Sequence, residues 1–178
     1  LVQRVDGMLH EDGGHKSRMP NNHMNVMRNL IEIRNTGLAN QLIQLAWLDQ
    51  TIAKMGAICR MWRHADGQFA RFNGAGTLSL DIIEETLARA GQKGKLLQHA
   101  PNTGFMRFSS GRSTVIMDVG QPAKEARITS FGTLGFEFSV GQNLLVINPG
   151  QNARDLNLQR LLCSTKAHST VSIDGQDS

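Results

Sequence analysis

The spacing of apolar residues changes a little past the middle of the chain. Up to about Gly91, apolar residues recur every three to four positions, which is the period of an α-helix with one buried face. From about Gly104 onward, apolar and polar residues alternate, which is the period of a β-strand. The sequence therefore predicts an α+β fold, with helices first and consecutive antiparallel strands after them.

Three helices are predicted in the first part. The first begins at Pro20, whose missing N–H costs nothing in a first turn, and should end near Gly37. The second runs from Leu38 to Trp62, where apolar steps of three and four continue for about six turns at 3.6 residues per turn. The third follows Ser79 as N-cap and stops at Gly91.

Short alternating segments rich in Val, Ile, Phe and Thr predict strands in the second part. We expect residues 1–100 to form a helical part and residues 101–178 a β part. The boundary lies in "GQKGKLLQHAPNTG", which contains glycines, a proline and no clear period. The predicted strands are "FMRF", "STVIMDV", "LGFEFSV", "NLLVIN" and "STVSID", with "SVGQNLL" forming a hairpin turn.

Composition narrows the class of partner. With 178 residues and 40% hydrophobic content, the chain can form a sizeable core. Its net charge of +4 favours anionic partners, such as nucleic acid, acidic lipid or acidic polysaccharide. Because Lys and Arg are scattered singly and aromatic residues make up 5%, no nucleic-acid partner is predicted.

Other simple features exclude further classes. No apolar run approaches the roughly 20 residues that span a bilayer, so no membrane insertion is predicted. Cys59 and Cys163 form neither a disulfide framework nor a zinc motif, and both are expected to be buried thiols. Because the sequence starts at Leu1 without methionine and stops directly after a strand-like run, we expect a fragment of a longer protein.

Three segments, in order and at matching spacing, resemble one family. They are "DGGHKSRMPNNHMNVMRNLIEI", "LGFEFSVGQNLLVINPG" and "LLCSTKAHSTVSIDGQDS", with the loop "RHADGQFARFNGAG" between the first two. They are similar to the helix start "DGGH.ERSPMYH", the hairpin "LSFEL..GR..LIVD.G" and the strand "R.T.AHNT..VDG..S" of the heparinase II/III-like polysaccharide lyases. The resemblance covers nearly the whole chain.

The resemblance implies a fold and a chemistry. Such enzymes join an incomplete α/α toroid to an antiparallel β-sandwich, so this chain would be the C-terminal toroid helices followed by the first sandwich strands. They cleave uronate-containing polysaccharides, including glycosaminoglycans, by β-elimination. One group neutralises the uronate carboxylate, another removes the C5 proton, and an acid protonates the departing oxygen. The resemblance also implies a place in the periplasm or cell envelope, and it leaves the oligomeric state open.

The family motifs assign roles to five residues. His15 and His23 match the two histidines of the helix start and are predicted to be catalytic. Substrate binding is predicted for Arg18, which suits a carboxylate or sulfate, for Asn22, which suits a sugar hydroxyl, and for His168.

The sequence also departs from the family at reactive positions. Asn22 stands in place of the family tyrosine, and the chain contains no tyrosine at all. Ile128 and Ser130 replace the sandwich histidines, and Asn148 replaces a metal-binding aspartate. His168 alone keeps its ligand type, and because zinc usually takes three good protein donors, neither a metal nor any other cofactor is predicted.

Each predicted site residue also has a purely structural interpretation. His15 can close the turn after "DGG" while His23 packs in the first helical turn, since histidine is often partly buried without a role. Asn22 can cap the helix and Arg18 can be simply solvated. A nucleophilic pair of His168 with a neighbouring serine is disfavoured, because adjacent strand residues point to opposite faces and no "GxSxG" motif is present.

Two functions follow as hypotheses. The first is a polysaccharide lyase that cleaves an acidic, uronate-containing polysaccharide. The alternative is a non-catalytic protein that binds an acidic glycan on the same scaffold, which the replacements at the reactive positions favour. A nucleic-acid binder would rest on the basic pI of 9.5 alone.

Overall fold

The computed structural model describes residues 2–39, 46–91, 96–122, 130–151 and 154–177. Within these ranges helices precede and follow one antiparallel sheet, so the predicted α+β class is confirmed. No helix in the described ranges has both the length and the apolar character needed to cross a membrane. The helices are α1 (Val2–Met8), α2 (Pro20–Ala39), α3 (Ala46–Met61), α4 (Leu80–Ala90) and α5 (Leu156–Cys163), with 3-10 turns at Phe72–Gly74 and Thr165–Ala167.

Helix α2 starts where the sequence predicts and ends later. Pro20 is its first residue, but the helix continues through Gly37 to Ala39, so the predicted end is wrong. A glycine inside a helix costs only about 1 kcal/mol relative to alanine, and one such residue does not stop it. The predicted start of the next helix at Leu38 is therefore also wrong, and residues 40–45 lie outside the described ranges.

Helix α4 ends as predicted. Gly91 adopts the left-handed conformation at φ 76°, and its N–H donates to the Ala88 carbonyl. Ser79 stands at the N-cap position with extended backbone, but its side chain makes no capping hydrogen bond. The position of the cap was thus predictable, whereas the capping bond was not.

One core joins the helices to the sheet. The apolar faces of α2, α3 and α4 meet there, and the buried Trp62 indole lies edge-on to the Phe105 ring at a centroid distance of 5.3 Å. Trp62 is therefore a core residue. Strands begin at His99, and the division of the chain near residue 100 into two parts stays a prediction. The members of the core cluster include Met24, Met27, Ile31, Ile52, Met55, Ile83 and Ile116.

Within the described part of the chain, the sheet has five antiparallel strands in chain order, each paired with the next. Its register places Val115 opposite Phe108 on one side and opposite Phe138 on the other. The strands are β1 (His99–Ala100), β2 (Phe105–Ser110), β3 (Ser113–Asp118), β4 (Phe136–Val140) and β5 (Asn143–Val146).

The two faces of this sheet have unusual polarity. The inner face, which packs on the helices, includes the buried polar side chains of Arg107, Thr114 and Glu137. The outer face carries apolar residues such as Phe108 and Val115, and Phe108 is 50% exposed. A sheet with an apolar face turned away from the helices is the kind expected to begin a β-sandwich.

The end of the chain differs from the prediction. Residues 169–174 form no strand, and that prediction is wrong: an isolated bridge between Ile173 and Gln176 is the sole β pairing described there. Helix α5 was not predicted. It starts after Asp155, whose carboxylate accepts hydrogen bonds from the backbone N–H groups of Asn157 and Leu158 at 2.9 and 3.0 Å.

Candidate functional site

A polar cluster forms just before and inside the first turn of α2, and we call it the helix-start cluster (His15, Ser17 and Asn22). Ser17 Oγ lies 2.8 Å from His15 Nδ1 and accepts a hydrogen bond from Asn22 Nδ2 at 3.2 Å. The Ser17 backbone N–H donates to His15 Nδ1 at 3.1 Å. Nδ1 is therefore an acceptor, and neutral His15 carries its proton on Nε2.

His15 is half-buried, and burial lowers its pKa from the usual 6.5, with a smaller contribution from nearby His10. At neutral pH the ring is therefore neutral. In this tautomer it presents a donor at Nε2 rather than a base. Asn22 is exposed beside it. The helix-start cluster thus offers an imidazole N–H and an amide, which suit the oxygen atoms of a sugar.

His23 lies behind this cluster and has no exposed surface. Its Nδ1 accepts the His15 backbone N–H at 3.2 Å, and its Nε2 donates to the Met55 carbonyl at 3.0 Å. Burial lowers its pKa to about 4, so the ring stays neutral. Both ring nitrogens are occupied, so in this structure His23 holds His15 in place, and its predicted catalytic role stays a prediction.

Arg18 connects the helix start to the sheet. The residue has a positive φ of 56°, and 4% of its surface is exposed. Its guanidinium donates to the carbonyls of Thr103 at 2.8 Å, Gln121 at 2.6 Å and Gly104 at 3.2 Å, and it forms an ion pair with Asp118. The interpretation of Arg18 as a solvated side chain is therefore wrong.

The partners of Arg18 are themselves fixed. Asn73 donates from Nδ2 to the Arg18 carbonyl at 3.0 Å and to Asp118 Oδ2 at 3.3 Å. Burial raises the pKa of Asp118, and the adjacent Arg18 guanidinium opposes that rise. Removing the guanidinium would leave Asp118 buried without its countercharge, which is costly.

His168 pairs with a serine that is distant in sequence. Its Nδ1 lies 2.8 Å from the Ser164 carbonyl oxygen, and its Nε2 lies 2.7 Å from Ser130 Oγ. A carbonyl oxygen only accepts, so Nδ1 carries the proton and Nε2 accepts from the Ser130 hydroxyl. This is the geometry of an oriented base next to a hydroxyl group. Sequence reasoning missed it because 38 positions separate the two residues.

The helix start and the Ser130 segment meet at a narrow hollow, which we call the junction hollow. Its lining includes Arg18, Asn73, Asp118, Ser130 and Gly132. The His168 ring packs directly on Gly132, since a Cβ there would lie 2.6 Å from Cδ2 of that ring. The structure therefore brings together Arg18 and the Ser130–His168 pair, whereas His15, Asn22 and His23 do not line the hollow.

The donor atoms near the hollow do not fit a metal ion. Both ring nitrogens of His168 already have protein partners. Asn148, at the position of the family aspartate, donates its backbone N–H and its Nδ2 to Glu137 Oε1 at 3.0 and 3.4 Å. Within the described residues no three His, Cys, Asp or Glu side chains are arranged to hold a metal. Ile128 lies outside those residues.

A second buried polar group, which sequence reasoning missed, ties a loop to strand β4. His64 Nδ1 lies 2.8 Å from Ser139 Oγ, and His64 Nε2 lies 3.1 Å from Glu137 Oε2. Glu137 Oε1 accepts the backbone N–H of Arg71 at 2.7 Å and of Asn148 at 3.0 Å. The signal available in the sequence was a histidine in a glycine-rich loop, together with a glutamate in an apolar strand.

Comparison with known proteins agrees with this architecture. Residues 92–178 match a family model described as "Heparinase II/III-like, C-terminal". The structure is an α+β unit, in which a polar junction lies between a helical layer and an antiparallel sheet. Over residues 92–178 the chain matches the heparinase II/III-like family, and the predicted resemblance to that family is confirmed.

Solved structures show the same fold over almost the whole chain. Heparan sulfate lyase HepC from Pedobacter heparinus superposes with a TM-score of 0.79 at 15% identity, covering 99% of this chain and 32% of that one. A heparinase III gene product gives 0.75 at 17% identity, with 99% and 32% coverage. Another heparinase III gives 0.75 at 15% identity, with 98% and 34% coverage.

The chain is also similar to a curated protein. "FtsZ-localized protein C" of Caulobacter vibrioides is 27% identical over 122 residues, which are 68% of this chain and 21% of that protein. The chain thus spans about a third of the solved lyases and about a fifth of this relative. Family and fold relate it to the polysaccharide lyases.

Proposed function

We propose that the protein containing this chain is a lyase that cleaves an acidic, uronate-containing polysaccharide by β-elimination in the periplasm or cell envelope. The observation that carries this proposal is the Ser130–His168 pair, 2.7 Å apart, at a hollow shared with Arg18. The family match and the net charge of +4 support the choice of an acidic glycan.

The Ser130–His168 pair can act as the base that removes the C5 proton. His168 Nε2 accepts the Ser130 proton while the Ser164 carbonyl holds Nδ1–H, so Ser130 Oγ can take the C5 proton of a uronate as its own passes to His168. The C4–O bond breaks and a C4=C5 double bond forms, and the departing oxygen takes a proton from protonated His168 by way of the Ser130 hydroxyl, which restores the neutral pair. The chain thereby needs no tyrosine for the first proton transfer.

The predicted binding residues have different places in this scheme. His15 offers its Nε2–H and Asn22 its exposed amide to sugar oxygens from the helix-start cluster. Arg18, which is paired with Asp118, provides an oriented guanidinium dipole at the hollow, near the developing enolate-like charge. His23 acts through His15, whose backbone N–H it accepts.

A second candidate function is binding of an acidic glycan without cleavage. The observation that favours it is the absence of tyrosine from the chain, with Asn22 at the position where the family has its acid. An amide transfers no proton at neutral pH, so a scaffold of this kind can hold a polymer without breaking it.

The experiment gives the full-length protein heparan sulfate and alginate, with a neutral glucan as control, and follows the ultraviolet absorbance of the C4=C5 bond. We expect product from an acidic polymer, and a loss of about 100-fold or more in rate for Ser130→Ala and for His168→Gln. Ser110→Ala, an exposed serine next to the β2–β3 hairpin turn, should leave the rate unchanged. Folded protein that binds the polymer and forms no product would establish the second function instead.

A further inference from the structure

A cavity next to the junction hollow shares the Arg18 side chain with it. Its volume is about 520 Å³, within the range of small-ligand pockets. Its walls are His10, Lys16, Arg18, the turn at 101–104 and the segment 119–122, and we call it the His10–Lys16 cavity. Among the described residues, these walls contain the cationic side chains of Lys16 and Arg18, the second of which is paired with Asp118, and no Asp or Glu.

The wall at 101–104 is firmly held. Asp12 Oδ2 accepts the backbone N–H groups of Asn102 at 2.9 Å and Thr103 at 2.7 Å. Gly14 packs so closely that a Cβ there would lie 1.8 Å from Thr103 Oγ1. Because these contacts use the Asp12 carboxylate to fix the backbone, they stabilise the shape of the cavity while this acid stays out of its lining.

Arg18 retains donor capacity at this cavity. A guanidinium has five N–H groups. Among the described residues four of them have acceptors, namely Thr103 O, Gln121 O, Gly104 O and Asp118 Oδ1. The remaining N–H is on Nη1, whose other hydrogen bond goes to Gln121, itself a cavity residue. A ligand oxygen would complete the set of acceptors.

His10 also points to an occupant. Its Nε2 is buried and has no hydrogen-bond partner among the described residues. A buried polar nitrogen without a partner costs free energy, and a ligand oxygen would remove that cost. Burial lowers the pKa of His10, Asp12 raises it, and Lys16 and Arg18 lower it further. His10, Lys16 and Arg18 therefore line one space.

We propose that the His10–Lys16 cavity binds the carboxylate or sulfate group of an acidic sugar. The anion accepts hydrogen bonds from Lys16 Nζ, from the remaining Arg18 N–H and from His10. That the ligand is a sugar rests on the proposed function, whereas the preference for an anion rests on the cavity alone. An anion replaces the water around Lys16 with charge-assisted hydrogen bonds.

The test measures binding by calorimetry in the full-length protein. The ligands are an alginate-derived tetrasaccharide with carboxylates alone, a heparin-derived tetrasaccharide with sulfates as well, and neutral maltotetraose. We expect both acidic ligands to bind and Lys16→Met to weaken them about tenfold, the effect of one charge-assisted hydrogen bond. Arg112→Met, which removes one exposed positive charge from the β2–β3 hairpin, should leave the affinity unchanged.

The ligand arms separate the sources of the anion. Lys16-dependent binding of the heparin-derived ligand alone assigns the site to sulfate, and binding of both assigns it to either anion. Maltotetraose binding as tight as that of the acidic ligands, equal affinity in wild type and Lys16→Met, or binding of none of the three overturns the proposal. Cleavage is recorded separately, so Lys16-dependent binding without product contradicts the lyase function and leaves the anion site standing.

Discussion

At the scale of single residues, the buried His23 ring makes the protein sensitive to acid. Its pKa is about 4 in the folded chain, against 6.5 for an unperturbed histidine, because burial disfavours the charged ring. The unfolded state therefore takes up a proton first as the pH falls through about 6.5. The contribution of the neutral His23 ring to the free energy of unfolding is fully present above that pH. It is lost towards pH 4, by roughly 1.4 kcal/mol per pH unit.

We expect the free energy of unfolding to fall steadily between neutral pH and about pH 5, measured by urea unfolding at a series of pH values. His23→Asn should flatten this dependence, because the amide oxygen can still accept the His15 N–H and does not titrate. Some slope will remain, since burial also lowers the pKa of His10 and His15. An unchanged slope in His23→Asn would contradict this account.

At the scale of secondary-structure elements, strand β4 is fixed to the helical layer through Glu137. This carboxylate is 1% exposed, and it accepts from the His64 ring and from two backbone N–H groups. Glu137→Ala leaves those donors buried without an acceptor, and we expect it to lower the free energy of unfolding by about 3 kcal/mol.

The matched control is Glu85→Ala on helix α4. Glu85 is exposed and pairs with Arg89 one helical turn away, an arrangement worth about 0.3–0.5 kcal/mol. Urea unfolding of both variants gives the comparison. Equal destabilisation by the two substitutions would show that the Glu137 contacts do not hold the layers together.

How far the elements could be predicted depended on whether the signal was local. Helices α2 and α4 follow from Pro20, Gly91 and a sustained apolar period, which are properties of neighbouring residues. The segment at 169–174 alternates like a strand and yet forms none, since alternation describes a half-buried surface and not the existence of a pairing partner. Helix α5 was missed although its Asp155 cap is a local signal, because its apolar residues stay exposed.

The candidate site was less predictable than the fold. The family motif drew attention to Arg18 and His168, but no local rule placed Ser130 within 2.7 Å of that imidazole. The motif also did not show which matched side chains are accessible: His23 is buried, while Asn22 is exposed. The long-range pairs His64–Glu137 and Arg18–Asp118 depend on how the layers dock, which periodicity does not encode.

At the scale of the whole molecule, the outer face of the sheet is apolar and partly exposed. The register aligns Phe108, Val115 and Phe138 across three strands, and Phe108 is 50% exposed. Contiguous apolar surface of this kind is associated with protein interfaces or aggregation. We propose that a further β layer covers it in a longer protein, as the fold of the lyases implies.

The 178-residue chain expressed alone should therefore bind a hydrophobic dye and self-associate as its concentration rises. Phe108→Ser should reduce both effects, because it interrupts the apolar row in its exposed part. Leu38→Ser is the control: Leu38 is 61% exposed on helix α2, away from the sheet, and its replacement should change neither. Dye fluorescence and light scattering give the two measurements. A wild-type chain that stays monomeric and does not increase the fluorescence of the dye would show that no further layer has to pack on the outer face.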